Sequence, residues 1–324
     1  FRPSARRPAD PGMARLVDIA ERAGVSKSTV SNVIRGSALV ADETRRKVER
    51  AIAETGYRPN AIARSLQARS SNAIGLVVPD LTNPFFAQLA VGVERAAGAL
   101  GFAVLTAHTE CVAETENAAA LAFIDRRVDG VVIGGLSLGA LLPKLLLDHG
   151  VPVVLVGAGE IDDARPGIID HDTEAAMEAV VRHLYELGHR RIGFVAHALR
   201  EHAGERRRLA FAAALARRGL VPVLTEAEAT ALVAHDDLHA IAAIDRLERA
   251  GRRVPADVSI IGFDDVPLAS HQRIQLTTVR ADAVAMGHRA GEMVITAASS
   301  GRPAAEREIM ASPLVVRATT RAPA

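Results

Sequence analysis

Short β-branched runs alternate with helical patterns along most of the chain, from residue 73 onward. AIGLVVP, GVVIGG and the central IIGF of SIIGFDD are apolar runs, and the sequences between such runs repeat apolar residues at helical spacing. Apolar strands joined by helices are typical of a parallel sheet that is covered on both faces. The alternation predicts a doubly wound α/β unit over residues 73–324, called the core here.

The segment before the core has a different character. Residues 13–59, called the head, contain three helical candidates and no strand-like run, which predicts an all-α unit. Residues 1–72 contain 14 Lys and Arg against 7 Asp and Glu, whereas the rest of the 324-residue chain contains 25 against 31. This asymmetry suggests that only the head binds a polyanion. A solvated surface with a basic excess would give the same charge count.

The composition also limits where such a chain works. Residues 1–12 are rich in Pro, Arg and Ala and lack the apolar segment of a secretory signal, so we predict a disordered arm. No apolar run reaches the roughly 18 residues of a membrane span. One cysteine, Cys111, excludes a disulfide framework. We therefore expect a cytoplasmic protein that does not contact a membrane.

The stretch from residue 17 to residue 34, VDIAERAGVSKSTVSNVI, predicts a helix-turn-helix. Gly24 can adopt the left-handed conformation of a tight turn, and Ser26 is placed to cap the second helix. Val30 and Val33 give that helix one buried stripe.

Small polar side chains and one cation occupy the opposite face of the second helix. Such a helix can lie in the DNA major groove, where Lys pairs with guanine and Asn with adenine. An ordinary amphipathic helix with a polar outer face is the alternative. The residues of this helix that we expect to contact DNA are Lys27, Ser28, Thr29, Ser31 and Asn32.

A third helix is predicted from Glu43 to Thr55, followed by a short fourth one. Pro59 prevents the third helix from continuing, and Asn60 can cap a helix of only two turns. Residues 60–72 are accordingly predicted as a hinge helix and a linker.

The stretch VDIAERAGVSKSTVSNVIRGSALVADETRRKVERAIAETGYRPNAIARSL closely resembles the DNA-binding head and hinge of the lactose-repressor/galactose-repressor (LacI/GalR) family of bacterial transcription regulators. Further matching motifs, in order, are IGLVVPDLTNPFF, RRVDGVVI, LGHRRIGFV, VPADVSIIGFDD and LTTVR. The resemblance runs from about Met13 to Thr320. It implies a dimer, possibly a tetramer, that binds the two half-sites of a palindromic double-stranded DNA operator.

The resemblance also assigns roles in the head and hinge. Leu66 stands where relatives wedge a leucine into the minor groove and kink the duplex; one more core apolar residue is the alternative. Ala41 stands where relatives carry a capping Ser or Thr, so we expect Asp42 to act as the cap. The DNA-binding set is completed by Tyr57, Asn60 and Arg64.

For the core, the resemblance implies two lobes like those of periplasmic sugar-binding proteins, with an effector cleft between them. The N-lobe is expected at about 73–170 plus 281–311, and the C-lobe at about 171–280 plus 312–320. Arg and Asp across a cleft can orient hydroxyl groups through charge-assisted hydrogen bonds, so a sugar or related metabolite is the expected effector. Surface or interdomain ion pairs are the alternative. The effector-binding candidates are Phe85, Phe86, Arg207, Asp236 and Asp264.

The C-lobe departs from the family pattern after Gly219. The stretch LVPVLTEAEA stands where relatives have a further strand and helix. We expect the C-lobe to lack one βα unit near residues 220–229, either because it is short or because a segment is missing from this sequence. A missing strand would leave a gap or an edge in the sheet.

Catalysis has little support in the sequence. The chain has no H-E-x-x-H, C-x-x-C or P-loop motif, so we predict no catalytic residues, no metal and no cofactor. The pairs Asp236-Asp237 and Asp264-Asp265 fit ligand recognition as well as acid chemistry. The sequence predicts a repressor controlled by a small effector. The alternatives are a regulator without an effector response and a solute-binding protein with a vestigial head.

Overall fold

The structure is a computed structural model that describes residues 14–34, 37, 39–57, 70–137, 141–157, 165–196 and 202–323. The chain divides into two compact units, residues 1–71 and 72–324, which contain the head and the core. The predicted arm and nearly all of the predicted hinge lie outside the described residues. No helix in the described part of the chain is long and apolar enough to cross a membrane.

The head consists of three helices around a small apolar centre. They are α1 (Leu16–Ala23), α2 (Lys27–Ile34) and α3 (Asp42–Thr55). Ile19, Val30 and Val48, one from each helix, are fully buried. The turn between α1 and α2 depends on Gly24, whose φ of 67° lies in the left-handed region. The predicted helix-turn-helix is therefore formed.

The expectation for the start of α3 was wrong. The helix begins at Asp42, one residue earlier than predicted, with Ala41 at the N-cap and no capping hydrogen bond from a side chain. Asp42 lies in the first turn instead, where its negative charge interacts favourably with the helix dipole.

The N-lobe of the core contains a six-stranded, fully parallel sheet in the order β10-β5-β4-β3-β1-β2. Helices α4 (Pro84–Ala99), α5 (Ala113–Arg126), α6 (Leu142–Asp148) and α10 (Ala283–Ser300) belong to this lobe. The strands are β1 (Ala73–Val78), β2 (Ala103–His108), β3 (Gly130–Gly134), β4 (Val153–Val156), β5 (Gly167–His171) and β10 (Arg307–Met310).

The C-lobe contains a five-stranded sheet in the order β11-β9-β8-β7-β6, in which only β11 runs antiparallel to its neighbour. Helices α7 (Thr173–Glu186), α8 (His202–Ala216) and α9 (Asp237–Arg249) and a 3₁₀ turn (Pro267–Ser270) complete it. The strands are β6 (Ile192–Val195), β7 (Ala231–Ala234), β8 (Ser259–Asp264), β9 (Thr277–Arg280) and β11 (Leu314–Val315). Two doubly wound sheets confirm the predicted α/β fold class.

Close packing of α4 on α10 fixes one wall of the space between the lobes. A Cβ atom on Gly92 would lie 2.2 Å from the Val284 carbonyl, and one on Gly287 would lie 2.1 Å from the Leu89 carbonyl. Only glycine permits this approach of the two backbones. The contact holds the N-terminus of α4 in place at the carboxyl end of β1.

The segment after Gly219 contributes one bridge instead of a strand. Val223 donates its backbone N–H to the Ile192 carbonyl at 3.0 Å and pairs with Gly193 on the outer edge of β6. Its neighbours Val221 and Leu224 are 78% and 95% exposed. The C-lobe sheet therefore ends in a short edge at β6 within the described part of the chain.

Candidate functional site

Helix α2 presents the predicted DNA-contacting residues at the surface of the head. Lys27 and Ser28 are exposed, and Thr29, Ser31 and Asn32 are partly exposed. On the other side of the helix, Val30 and Val33 pack into the apolar centre of the head. The predicted polar face is thus formed by the helical period alone.

Hydroxyl groups at the start of α2 form a local cluster. Ser26 Oγ accepts a hydrogen bond from the Thr29 backbone N–H at 3.1 Å, which confirms the predicted cap. The same oxygen bonds to Ser28 Oγ at 2.7 Å and to Thr29 Oγ1 at 2.8 Å. These three bonds use the full hydrogen-bonding capacity of the Ser26 hydroxyl and orient the Ser28 and Thr29 hydroxyls, which keep further capacity for a ligand.

The structure describes only one of the remaining DNA-binding candidates. Tyr57 is partly buried and packs against the apolar centre of the head. Asn60, Arg64 and Leu66 lie outside the described residues.

A cavity of about 110 Å³ lies between the two lobes of the core. It is formed where the carboxyl ends of parallel strands from both sheets face each other, the position at which open α/β sheets bind ligands. The structure brings all five effector-binding candidates together there. The cavity is lined by Pro79, Asp80, Asn83, Phe85, Phe86, Gly135, Val156, Gly157 and His171 from the N-lobe and by Ala203, Arg207, His235, Asp236, Leu238, His239 and Asp264 from the C-lobe.

Phe85 and Phe86 form an aromatic wall of the cavity, and the sequence NPFF positions them. Asn83 caps α4 by accepting the Phe85 N–H at 3.0 Å, and Pro84 occupies the first helical position. Phe85 and Phe86 then pack edge to face, with ring centroids 5.2 Å apart.

Arg207 on α8 is 5% exposed and is held from three sides. Its guanidinium donates to the His235 carbonyl at 2.7 Å and to Asp264 Oδ1 at 3.3 Å, and it lies 3.8 Å from the centroid of the Phe263 ring. The third guanidinium nitrogen, Nε, has no hydrogen-bond partner among the residues that the structure describes. Arg207 is therefore a fixed, buried donor in the cleft.

Asp236 links the two lobes. One carboxylate oxygen caps α9 by accepting the His239 backbone N–H and lies 2.7 Å from His239 Nδ1. The other accepts a 3.4 Å hydrogen bond from Asn83 of the N-lobe. Burial alone would raise the pKa of Asp236, but the hydrogen bond from His239 and the charges of His235 and His239 outweigh it and bring the pKa to about 2. The carboxylate is ionised at neutral pH.

The comparison with known families decides what kind of chain this is. Residues 15–60 match the family described as bacterial regulatory proteins, lacI family, residues 71–227 match the periplasmic binding proteins and sugar binding domain of LacI family, and residues 181–320 match the periplasmic binding protein-like domain. The HTH-type transcriptional repressor PurR of Aliivibrio salmonicida is 31% identical over 306 residues, covering 87% of this chain and 92% of the relative. The chain belongs to the lacI family.

Solved structures of lacI-family regulators share its fold. The lac repressor dimer bound to operator and the anti-inducer ONPF has a TM-score of 0.84 at 26% identity, covering 96% of this chain and all of that one. The complex of the transcriptional regulator CelR with cellobiose has a TM-score of 0.69 at 28% identity and covers 95% of this chain and all of that one. As a lacI-family member, this chain is a DNA-binding transcriptional regulator and not an enzyme.

The polar residues of this lacI-family cleft that the sequence candidates did not include are Asp80, Asn83, His171, His235 and His239. His171 ends β5 and is 2% exposed. Its burial, and then the charges of Arg207 and Arg206, hold the pKa of the imidazole well below its usual value, so the ring is neutral. Its Nδ1 atom has no hydrogen-bond partner within the described chain. The position of His171 at the end of an apolar run was the one signal that could have found it.

The neighbouring acidic residues have structural contacts in this lacI-family chain. Asp237 is fully buried and accepts hydrogen bonds from Thr278 Oγ1 at 2.5 Å and from the Val266 N–H at 2.8 Å. Asp265 pairs with Arg280 and Arg317 at 2.8 and 2.6 Å. These contacts hold the C-lobe sheet together beside the cleft. Among the described residues no group of three His, Cys, Asp or Glu side chains could hold a metal ion.

Proposed function

We propose that this regulator is a repressor that binds a palindromic operator as a dimer, and that a small hydroxylated effector in the cleft controls its affinity for the operator. The observation that carries the effector part is that Arg207 and His171 line the same cavity and that each has a buried nitrogen, Nε and Nδ1, with no hydrogen-bond partner among the described residues. Leaving a buried polar atom unpaired is costly, so a ligand that pairs both is favoured.

Base reading is assigned to Lys27 and Asn32, whose side chains suit guanine and adenine. Ser28, Thr29 and Ser31 add shorter contacts from the same helix. Tyr57, Asn60 and Arg64 are assigned to further contacts with the DNA and Leu66 to the minor groove, on the resemblance of their sequence to the family's head and hinge. The protein works in the bacterial cytoplasm, at the nucleoid, because its ligand is chromosomal DNA.

The charges at the cleft favour a neutral effector. Asp80, Asp236 and Asp264 line the cavity against one arginine, and Arg207 is already paired with Asp264. An anionic ligand would meet an excess of carboxylates. Hydroxyl groups both donate and accept, and thus suit the guanidinium, the neutral imidazole and the carboxylates together. CelR, whose complex contains cellobiose, provides a relative with a ligand of this chemistry.

Effector binding requires the lobes to move. The cavity of about 110 Å³ is smaller than the roughly 300–1,000 Å³ of ligand pockets. A sugar enters only when the lobes separate and the hydrogen bond between Asn83 and Asp236 breaks. Binding therefore changes the populations of the lobe arrangements, which is the means by which it alters operator affinity.

Selection from a random duplex-DNA pool at physiological salt tests this function. The selection is run without additions and with cellobiose, maltose, ribose, glucose 6-phosphate and hypoxanthine in turn. We expect an enriched palindrome whose enrichment is changed by a neutral sugar. Absence of any enriched sequence would contradict the operator proposal, and a palindrome that no compound affects would favour a regulator without an effector response.

The Leu66→Ala variant tests the hinge on the selected duplex. We expect specific binding to fall far more than non-specific binding, because the wedge is made only on kinked operator DNA. Equal losses for both would contradict the assignment of Leu66 to the minor groove.

A further inference from the structure

Two consecutive arginines on α8 face different neighbours. Arg207 lines the cleft, whereas Arg206 binds Asp170 on β5 and does not line it. We infer that Arg206 is a positioning residue that ties α8 of the C-lobe to β5 of the N-lobe and so sets how readily the cleft opens. The role of Arg206 in holding the lobes together does not depend on the proposed effector control, but its role in regulation does.

The contacts of Arg206 join three elements. Its Nη1 atom binds Asp170 Oδ2, and its Nε and Nη2 atoms donate to the two oxygens of Glu174 at 3.1 and 2.8 Å. Glu174 lies in the first turn of α7, just after the chain has crossed from the N-lobe sheet to the C-lobe. A forked pair of this kind specifies orientation as well as attraction. Arg206 therefore fixes α8 against both the N-lobe sheet and the crossover.

Because Asp170 is buried, breaking its contact with Arg206 costs much free energy. Asp170 is 1% exposed, and its other oxygen accepts the His171 backbone N–H at 2.8 Å. Burial lowers the pKa of Arg206, but Glu174 and Asp170 outweigh this and raise it, so the guanidinium stays charged. Removing one partner from a buried ion pair leaves an uncompensated charge, which is strongly destabilising.

The ion pair and the cleft share the same two elements. Asp170 and His171 are consecutive on β5, and Arg206 and Arg207 are consecutive on α8. A movement of α8 that carries Arg207 away from its position in the cleft also pulls Arg206 from Asp170. Two other hydrogen bonds that join the lobes in the described chain are uncharged or long: His202 N–H donates to the Leu136 carbonyl at 3.0 Å, and Asn83 donates to Asp236 at 3.4 Å. The ion pair between Arg206 and Asp170 is thus placed to resist opening of the cleft, although neither residue lines the effector cavity.

Amide hydrogen exchange of the full chain, without DNA or ligand, tests the role of Arg206. The main variant is Arg206→Met combined with Asp170→Asn, because Arg206→Met alone leaves a buried carboxylate and can fail to fold. We expect exchange at the cleft ends of α4 and α8 to rise about tenfold, since part of the stabilisation by a buried pair is lost. Strands β1 and β8 should exchange as in the wild type.

Arg208→Met is the matched control. Arg208 is the next residue of α8, but it pairs with Glu205 of the same helix at 2.6 Å and is half exposed. We expect wild-type exchange for this variant, and an intermediate increase for Arg206→Lys, which keeps the charge and loses the fork.

Two results would overturn the inference. One is a double variant that exchanges like the wild type at the cleft. The other is a rise of equal size in all strands, which would show general destabilisation. Failure of the repressor proposal would appear in the duplex selection instead, since the exchange measurement needs neither operator nor effector.

Discussion

The polar side chains of α2, which we propose to bind DNA, and those of the cleft, which we propose to bind the effector, differ in how they are already hydrogen-bonded within the protein. On α2, Ser28 and Thr29 bond to Ser26 within three residues of the chain and remain open to solvent on the other side. In the cleft, Arg207 is bonded to groups 28 and 57 residues away, and Asp236 to one 153 residues away. The face of α2 that we propose to contact DNA is built from neighbouring residues and is open to solvent, whereas the cleft is assembled from distant parts of the chain and its polar groups are already largely paired.

This difference predicts how each region responds to substitution. Exposed side chains that share no hydrogen bond act nearly independently, so outside the hydroxyl cluster at the start of α2 each change should affect only its own contact. Buried groups that pair with one another are coupled, so a change at one leaves its partner in an unfavourable state. The cleft should therefore show large, non-additive effects on stability, and α2 small, additive effects on DNA recognition.

The largest expected effect is that of Arg207→Ala. The variant leaves the buried Asp264 carboxylate without its guanidinium, which should lower the free energy of unfolding by about 3–5 kcal/mol. Urea unfolding followed by circular dichroism measures it. The double variant with Asp264→Asn should regain much of that loss, and Asn tolerates the positive φ of 106° at this position. Losses that simply add would show that the cleft is not coupled as described.

Arg207→Ala with Asp264→Asn also separates stability from signalling. We expect the double variant to bind the selected operator duplex with wild-type affinity and to ignore any compound that alters wild-type binding. An unchanged response would remove Arg207 from the effector site.

Asp237→Asn should change the pH dependence of stability. Burial raises the pKa of Asp237 to about 7, from an ordinary value of 3.8, against the opposing hydrogen bonds from Thr278 and Val266. Between about pH 4 and 7 the folded chain keeps a proton that the unfolded chain has lost, so the free energy of unfolding falls as the pH rises, by up to a few kcal/mol. Asp237→Asn should flatten this decline.

Urea unfolding at pH 5 and at pH 7.5 measures the effect. Asp245→Asn is the control, because that carboxylate lies on the same helix but is exposed and paired with Arg249. A wild-type decline retained by Asp237→Asn would assign the proton to another group.

Asn32→Ala should weaken binding at one base pair of each half-site. Loss of a paired side chain in the major groove costs about 1–3 kcal/mol of discrimination. Competition between duplexes that differ at single positions measures this, with Lys47→Ala on α3 as a control that should keep every base preference. If Asn32→Ala weakened all duplexes equally, Asn32 would contact the phosphate backbone instead.

Ser26→Ala should have the smallest effect. Loss of the capping bond to the Thr29 N–H costs about 1 kcal/mol, whereas Ser26→Gly costs only a few tenths. Exchange of the α2 amides in the full chain should rise accordingly for Ala and hardly for Gly. Equal effects of the two substitutions would show that the hydroxyl cluster, and not the cap, stabilises this helix.

Particular residues show how far the sequence could predict the fold. Gly24, Ser26, Val30 and Val33 predict the helix-turn-helix because each acts within a turn of its neighbours. The apolar runs from residue 73 onward predict the parallel strands for the same reason. The start of α3 was missed because Asp42 was expected to act as the cap, whereas the helix already begins at Asp42, with Ala41 at the N-cap and no capping bond from a side chain.

The sequence by itself determined the head, the doubly wound core and the five residues that converge on the cleft, because helical period, strand patterning and family motifs are properties of neighbouring residues. Only the tertiary structure decided that Asn83 bonds to Asp236, that His171 is neutral with a nitrogen left unpaired within the described chain, and that Arg206 joins the lobes. Their partners are set by which strand ends meet and by how deeply each group is buried, and neither is a property of neighbouring residues.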